Sequence, residues 1–284
     1  MTSTYLERSA SSLDTLWLDL TRKCQLACVH CYNDSGPEGT HGTMTRDDWF
    51  RVIDEAAECG VRRLQLIGGE PTMHPDFAGL VVHARARGLD VEVFSNLVHI
   101  TDDHWTLFQR SGTRLATSYY SAQPDKHNAM TGRRSYERTR ANIATAVRLD
   151  IPIRVGIIAM SDDQDVEDVR RDLASLGVSW IHVDHVRPFG RGSDGVEPDT
   201  SQLCGGCGAG KASVDPSGNV SPCVFSTWMQ VGRVQHTSLR DIISGSAMRR
   251  ANEEIRATTS ASPPCEPDME CSPGYPGSGC NPRT

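Results

Sequence analysis

The sequence predicts an α/β fold: a partial, TIM-like (β/α)6 barrel followed by a small cysteine-rich extension built from a β-hairpin and a helix. Six short apolar segments alternate with five helix-like segments before residue 190. These units are too few to close an eight-stranded barrel. After residue 190 the chain becomes rich in glycine, proline, serine and aspartate, and then in closely spaced cysteines. We therefore expect a core at residues 1–190 and an extension at residues 191–284.

Each strand–helix unit carries its own boundary signals. Thr45, with Asp48 three residues later, forms a capping-box pattern, and Gly60 suits the end of that first helix. Pro75 opens the second helix and Gly88 ends it. Alternation of this kind implies a mostly parallel sheet with right-handed crossovers, which binds ligands at the carboxyl ends of its strands. The expected strands span residues 15–20, 64–67, 91–94, 115–118, 153–158 and 180–186, and the later helices span 101–110, 135–149 and 163–176.

Composition and charge narrow the classes of function. The chain has 284 residues, of which 38% are hydrophobic, and its formal net charge is −7. The negative charge argues against binding to nucleic acid phosphates. There is no run of about 18 apolar residues and no secretory signal pattern, so we expect neither a membrane span nor export. In the cytoplasm, the expected location, the ten cysteines would serve metal binding or redox chemistry rather than disulfides.

Cys24, Cys28 and Cys31 follow the first predicted strand with the spacing Cys-x3-Cys-x2-Cys. Closed iron–sulfur clusters and structural zinc sites usually take four ligands, so three thiolates would leave one iron of a cluster open. A zinc knuckle with a distant fourth ligand is the alternative interpretation.

A second motif, Gly68-Gly69-Glu70-Pro71, directly follows the second predicted strand. Glycines there permit close backbone approach, and a glutamate can accept hydrogen bonds from an ammonium group. With the cysteine triplet, this motif resembles the radical S-adenosylmethionine (SAM) enzyme family, in which the open iron binds the amino and carboxylate groups of SAM.

The resemblance implies roles for further residues. His30 fills the family's aromatic position near the adenine, and the glycine motif would grip the SAM amino group. Where many relatives carry an acidic residue, this chain has Tyr120, so no substrate contact is carried over. The family's arginine near the SAM carboxylate has no clear match, and Arg133 is the nearest substitute. The cofactor-binding residues expected from the resemblance are His30, Gly68, Gly69, Glu70, Pro71, Ser95, Asn96, Ser118 and Arg133, with an ordinary polar turn as the alternative for Ser95 and Asn96.

The extension carries a second set of cysteines. A turn at residues 216–219 predicts a hairpin, and the Gly218-x4-Cys223 spacing resembles the SPASM or Twitch extension of radical SAM enzymes. Those extensions bind auxiliary [4Fe-4S] clusters, so the resemblance implies one or two of them here. The tail departs from the full pattern because it has three cysteines rather than four, and a zinc ribbon is the alternative. The candidate ligands are Cys204, Cys207, Cys223, Cys265, Cys271 and Cys280.

The resemblance also implies a mechanism. A reduced cluster passes one electron to SAM, which breaks into methionine and a 5′-deoxyadenosyl radical, and that radical removes a hydrogen atom from the substrate. An electron donor of the flavodoxin or ferredoxin type is expected. An auxiliary cluster could accept an electron from the substrate, and a spare tail thiol could donate hydrogen. The cofactor supplies the difficult chemistry, and the protein supplies orientation and a dry cavity.

Three hypotheses on function remain open at this point. The first is modification of a ribosomally made peptide by a cross-link, thioether or epimerisation. The second is an oxidoreductase or epimerase of a sugar or aminocyclitol, and the third is a non-catalytic iron–sulfur or zinc protein. About 14 residues precede the first strand, which favours a small substrate or a separate leader-peptide-binding partner. The wide occurrence of cysteine-rich extensions among peptide maturases favours the first hypothesis.

Three other residues can be interpreted from their position. Cys59 falls on the buried stripe of the first helix and is expected to be a structural thiol. His182 and Asp184 share one face of the sixth strand, so they line the barrel mouth or its solvent side, or belong to a metal site whose third ligand is not evident.

Overall fold

The computed structural model describes residues 13–110, 112–159 and 166–259. Its central feature is a sheet in which six parallel strands each pair with the next strand along the chain. This consecutive order is that of an incomplete β/α barrel, as the alternation in the sequence predicts. The strands are β1 (Thr15–Asp19), β2 (Arg63–Ile67), β3 (Asp90–Phe94), β4 (Thr113–Tyr119), β5 (Ile153–Ala159) and β6 (Trp180–His185).

The helices between these strands follow the predicted boundary signals closely. The Thr45 hydroxyl accepts from the backbone of Asp48, whose side chain accepts from the backbone of Thr45, which completes the capping box. Ser135 occupies the predicted N-cap position but forms no side-chain cap bond. The helix after Gln123 was not predicted from the sequence. The six helices are α1 (Arg46–Glu58), α2 (Phe77–Ala86), α3 (Asp102–Phe108), α4 (Pro124–Thr131), α5 (Tyr136–Arg148) and α6 (Val166–Ser175).

Alternate residues of the strands face opposite sides of the sheet, as the strand geometry requires. Leu16 and Leu18 of β1 join Trp49 and Ile53 of α1 in the main hydrophobic core. Trp17 of β1 lies on the opposite side and lines a large cavity. The helices therefore cover one face of the sheet, and the other face is left to form the site.

The extension continues the same sheet, which the sequence did not reveal. Its first strand pairs in parallel with β1, with Leu18 opposite Val214, and the predicted hairpin follows. Within the described residues, the sheet thus has nine strands and takes strands from both sides of residue 190. The division of the chain into two domains at that residue stays a prediction. A 14-residue helix ends the described part of the chain. The elements are β7 (Lys211–Val214), β8 (Asn219–Ser221), β9 (Gly232–Arg233), α7 (Leu239–Ser244) and α8 (Ser246–Thr259).

None of the helices in the described ranges is both long enough and apolar enough to cross a membrane.

Candidate active site

A large cavity opens on the inner side of the sheet, at the carboxyl ends of the parallel strands. Together with its open mouth it encloses about 1340 Å³. Its wall combines the cysteine loop after β1, the glycine motif after β2 and residues of the extension, including Cys24, Cys28, Cys31, Gly68, Gly69 and Phe225.

The loop that carries the cysteine triplet is held by backbone bonds on both sides. The Cys24 amide donates to the carbonyl of Gly36 at 3.0 Å. Arg191 crosses from the segment after β6, and its side chain donates to the carbonyls of Cys28 and Ser35, each at 2.8 Å. The Arg191 amide also donates to the Cys31 carbonyl at 2.9 Å. The glycine- and proline-rich segment after β6 therefore clamps the cysteine loop.

The chemistry of the thiols fits an iron–sulfur cluster. Burial raises the pKa of Cys24 and of Cys28 to about 12, with added repulsion from Glu70 and Cys31 respectively. The thiols therefore stay protonated unless a positive group replaces the proton, as cluster iron does. Within the described ranges, no three His, Cys, Asp or Glu side chains are arranged as the ligands of a single metal ion. A cluster makes a different demand, because each thiolate binds a separate iron.

The two glycines after β2 are required by close backbone approach. A Cβ on Gly69 would lie 2.3 Å from the carbonyl oxygen of Lys23. Gly68 has φ +137°, and a Cβ there would lie 2.6 Å from the carbonyl oxygen of Thr21. The amides of Gly69 and Glu70 donate to these same two carbonyls. The glycine motif is thereby fixed to the start of the cysteine loop, and its bare backbone forms cavity wall.

The carboxylate of Glu70 points away from the cavity rather than into it. Its Oε1 accepts from Thr72 and from the Ser95 hydroxyl at 2.9 Å, and its Oε2 accepts from the Asn96 amide at 2.8 Å. Glu70 is 1% exposed, and burial raises its pKa against these bonds. The side chain therefore ties the end of β3 to the glycine motif, and the motif's backbone is left to contact a ligand. Pro71 begins a short 3₁₀ turn behind it.

The other expected cofactor contacts divide into two groups. His30, Ser95, Asn96 and Ser118 line the cavity with the cysteine triplet. His30 packs edge-on against Tyr120, with ring centroids 4.9 Å apart, and burial lowers its pKa to about 4, so its ring is neutral. Arg133 is exposed and lies outside the cavity wall, because the chain turns away at Gly132, which has φ +66°. The sequence suggests Arg133 only because it lies near the position where the family carries its arginine.

The strands opposite the glycine motif supply a charged wall that the sequence did not single out. Arg154 of β5 donates two hydrogen bonds to Glu92 of β3, at 2.9 and 2.8 Å, and both side chains are 4% exposed. Arg187 donates to Asp184 at 2.9 Å. Arg154, His182, Asp184 and Arg187 all line the cavity, so of the positions left open for His182 and Asp184 they occupy the barrel mouth rather than its solvent side. Alternation with period two is the signal that could have found Arg154.

Three cysteines of the extension meet beside this cavity. The buried Cys207 thiol contacts both Cys204 and Cys223, and its hydrogen bonds to these two side chains, together with burial, raise its pKa. Two residues after Cys223, the ring of Phe225 packs edge-on against Tyr32, the residue after Cys31, with centroids 5.0 Å apart. The two cysteine sites are thus joined by an aromatic contact. Cys265, Cys271 and Cys280 lie outside the described residues. Cys59 is half-buried and lies at the C-cap of α1.

Similar curated proteins include peptide-modifying enzymes and one haem-forming enzyme. The chain is 27% identical over 194 residues to "PqqA peptide cyclase" of Bradyrhizobium diazoefficiens, covering 65% of this chain and 51% of the relative. It is 32% identical over 187 residues to "AdoMet-dependent heme synthase" of Methanosarcina barkeri, with coverages of 63% and 53%. It is 32% identical over 199 residues to "Mycofactocin maturase MftC" of Mycobacterium tuberculosis, with coverages of 66% and 48%. The chain thus spans about half the length of these relatives.

Solved structures share the fold at low sequence identity. SuiB of Streptococcus suis bound to its precursor peptide SuiA has a TM-score of 0.71 at 14% identity, covering 87% of this chain and 67% of that one. Native anSMEcpe with bound AdoMet and the Cp18Cys peptide has a TM-score of 0.68 at 13% identity, with coverages of 87% and 83%. These likenesses confirm the predicted partial-barrel fold.

Two family models match the two parts of the sequence. The model of an iron–sulfur cluster-binding domain, SPASM, matches residues 204–272. The Radical SAM superfamily model matches residues 18–176, which is more than half of the chain and includes the cysteine loop, the glycine motif, the end of β1 and the whole of β2 to β5. The chain therefore belongs to the radical SAM superfamily.

Proposed function

We propose that this protein is a radical SAM enzyme that removes a hydrogen atom from a ribosomally synthesised peptide and so installs a cross-link, a thioether or an inverted centre. One observation carries the proposal. The cysteine triplet, the bare glycine backbone, and Val224 and Phe225 just after the hairpin of the extension all contribute to the wall of one cavity. The wall reaches from the cysteine loop and the glycine motif to Phe225 and the polar residues of β5 and β6, so SAM and a segment of a second substrate would lie side by side along it.

Each part of the wall has a task in this proposal. Cys24, Cys28 and Cys31 would hold the cluster, and the Gly68–Gly69 backbone would contact SAM. When bound, the cluster and SAM supply the one-electron chemistry that breaks the sulfonium bond and leads to 5′-deoxyadenosine. The buried rings around His30 exclude water from the site, which protects a radical from side reactions.

A peptide substrate is supported by the relatives and by the cavity's open mouth. Two of the three relatives described above are named for peptide or maturation chemistry, and SuiB was solved with its precursor peptide. We further propose an electron donor of the flavodoxin or ferredoxin type and a separate leader-peptide-binding partner. None of the seven cysteines in the described ranges forms a disulfide, and a reducing, cytoplasmic location is part of the proposal.

A sugar or aminocyclitol is the competing substrate class, and the charged wall of β3, β5 and β6 favours it. Glu92, Arg154, Asp184 and Arg187 place donors and acceptors at the inner face of the sheet, where a polyhydroxylated molecule would find partners. In a peptide enzyme the same wall would bind polar side chains or backbone groups of the substrate.

A deoxyadenosine assay tests the reaction class. Protein reconstituted anaerobically with iron and sulfide is mixed with SAM and dithionite, and 5′-deoxyadenosine is measured by liquid chromatography. We expect its formation in the wild type and its loss when Cys24, Cys28 and Cys31 are all changed to Ala. SAM cleavage that persists in this triple variant would contradict the assignment of these three cysteines as ligands of the cluster. Cys223→Ala is the matched control, because it should lose iron but keep SAM cleavage.

Isotope transfer distinguishes the substrate classes. The enzyme is incubated in turn with a deuterated candidate precursor peptide and with a deuterated aminocyclitol. We expect deuterium to enter 5′-deoxyadenosine from the peptide, together with a mass change in the peptide. Transfer from the aminocyclitol alone would replace the peptide proposal with the competing one.

A further inference from the structure

Asn96, at the end of β3, contacts the first cysteine of the triplet directly. Its Nδ2 lies 3.6 Å from the Cys24 sulfur, within the range of an N–H···S hydrogen bond. The Leu26 amide is a second donor to this sulfur, at 3.4 Å. Cys24 as an iron ligand is a thiolate, which accepts hydrogen bonds and donates none.

The orientation of the Asn96 amide is fixed by its other partners. Its Oδ1 accepts from the backbone amide of Val98 at 2.9 Å and from Nε2 of Gln25 at 3.0 Å. A backbone amide can only donate, so the oxygen of Asn96 must face Val98. The reversed amide would set an N–H against the N–H of Val98 and is excluded. The Asn96 NH₂ group is therefore directed at the sulfur.

The backbone of Asn96 is anchored as firmly as its side chain. Its amide donates to Oε2 of Glu70 at 2.8 Å, and its carbonyl accepts from the Thr139 hydroxyl at 3.0 Å. The next residue, Leu97, is fully buried with φ +57°, a strained conformation for a leucine. These bonds thus hold Asn96 in place although the neighbouring Leu97 is strained, and the N–H···S contact is a fixed part of the fold.

We propose that Asn96 raises the reduction potential of the cluster by donating a hydrogen bond to Cys24; this inference rests on the proposed function. A reduced cluster carries one more negative charge than an oxidised one. Donors to its sulfurs stabilise that charge, so hydrogen bonds to the sulfurs help to set the potential. Asn96 is a positioning residue in this role, which is separate from the ribose contact that the family resemblance implies.

The test is a redox titration of the cluster without SAM, followed by electron paramagnetic resonance of the reduced state. Reconstituted Asn96→Ala should bind iron as the wild type does, with a midpoint potential shifted to more negative values. Asn96→Asp should shift it further, because a carboxylate would then face the thiolate. Asn96→Ser keeps a hydroxyl donor and should fall between Asn96→Ala and the wild type.

Thr145→Val is the matched control, because Thr145 lies on the same helix as Thr139 and its hydroxyl bonds within that helix, to the carbonyl of Ala141. Its midpoint potential should equal that of the wild type. A ribose contact alone would change the affinity for SAM and leave the SAM-free potential unmoved. An unchanged potential in Asn96→Ala with the cluster retained would therefore overturn the inference.

Two further outcomes would also contradict the proposal that Asn96 raises the reduction potential of the cluster. Loss of the cluster in all three Asn96 variants, with a native circular dichroism spectrum, would mean that Asn96 holds the cluster rather than tunes it. If the wild type forms no reducible cluster and no 5′-deoxyadenosine, the proposed function fails as well. A wild type that forms both, alongside an Asn96→Ala variant with unchanged potential, would overturn this inference alone.

Discussion

At the scale of single residues, Gly69 shows how little space the site leaves. Gly69→Ala would place a methyl group 2.3 Å from the carbonyl oxygen of Lys23, so the glycine motif must move. Because a misplacement of about 1 Å costs on the order of 100-fold in rate, we expect a loss of SAM cleavage of that size. The rate of deoxyadenosine formation measures it.

Gly79→Ala controls for the substitution itself. Gly79 lies in α2, where the nearest atom to a new Cβ is 3.6 Å away, an ordinary contact. This variant should keep its SAM cleavage and gain about 0.5–1 kcal/mol in the free energy of unfolding. Equal activity in both alanine variants would show that the motif does not depend on close approach.

The buried pair of Glu92 and Arg154 gives a second prediction at this scale. Burial acts to raise the pKa of Glu92, but the charge and hydrogen bonds of Arg154 hold it below its usual value. Arg154→Met leaves the buried Glu92 carboxylate without its guanidinium and with a hydrogen bond from Gln65, and should destabilise the fold by roughly 3–5 kcal/mol. Urea unfolding measures this loss.

The destabilisation caused by Arg154→Met should depend on pH in a definite direction. Without Arg154, the folded-state pKa of Glu92 rises above its unfolded value, so stability is kept at low pH and lost as pH rises. The destabilisation should be greater at about pH 8 than at about pH 5. Replacing both partners, as Glu92→Leu with Arg154→Met, should recover part of the loss. If the double variant shows the sum of two single losses, the two side chains are not coupled.

At the scale of elements, Arg191 gives a prediction about the segment after β6. Its side chain donates to two carbonyls of the cysteine loop, those of Cys28 and Ser35. Arg191→Ala should loosen the loop and lower the iron bound per chain after reconstitution. The iron content of Arg191→Lys should fall between those of the wild type and Arg191→Ala, because one ammonium cannot match the guanidinium's planar fork. The exposed Arg134→Ala is the control; equal iron in all three variants would contradict the clamp.

Much of the fold could be predicted at this scale because its signals are local. Capping at Thr45 and strand–helix alternation depend on neighbouring residues, and both predictions are confirmed. The pairing of β1 with β7 could not be predicted, because their residues are almost 200 positions apart and no local pattern records the register. The orientation of the Glu70 side chain could not be predicted for a similar reason, because its partners Ser95 and Asn96 follow the next strand, β3.

At the scale of the whole molecule, the sheet makes the extension part of the core's structure. All five residues of β1 are buried, and β7 covers its outer edge. The SPASM match begins at Cys204, seven residues before β7, so metal binding and sheet completion share one segment. The extension therefore has two separable contributions, strand pairing and thiol ligands.

A truncation and a ligand variant separate these contributions. Ending the chain after Leu203 removes β7 and exposes the backbone edge of an apolar strand, which is a template for aggregation. We expect that chain to aggregate in size-exclusion chromatography. The combined change of Cys204, Cys207 and Cys223 to Ser keeps β7 beside β1. That variant should stay monodisperse, bind less iron and still cleave SAM, because its cysteine loop and glycine motif are unaltered. A truncated chain that is monodisperse and cleaves SAM at the wild-type rate would show that β7 is dispensable to the barrel.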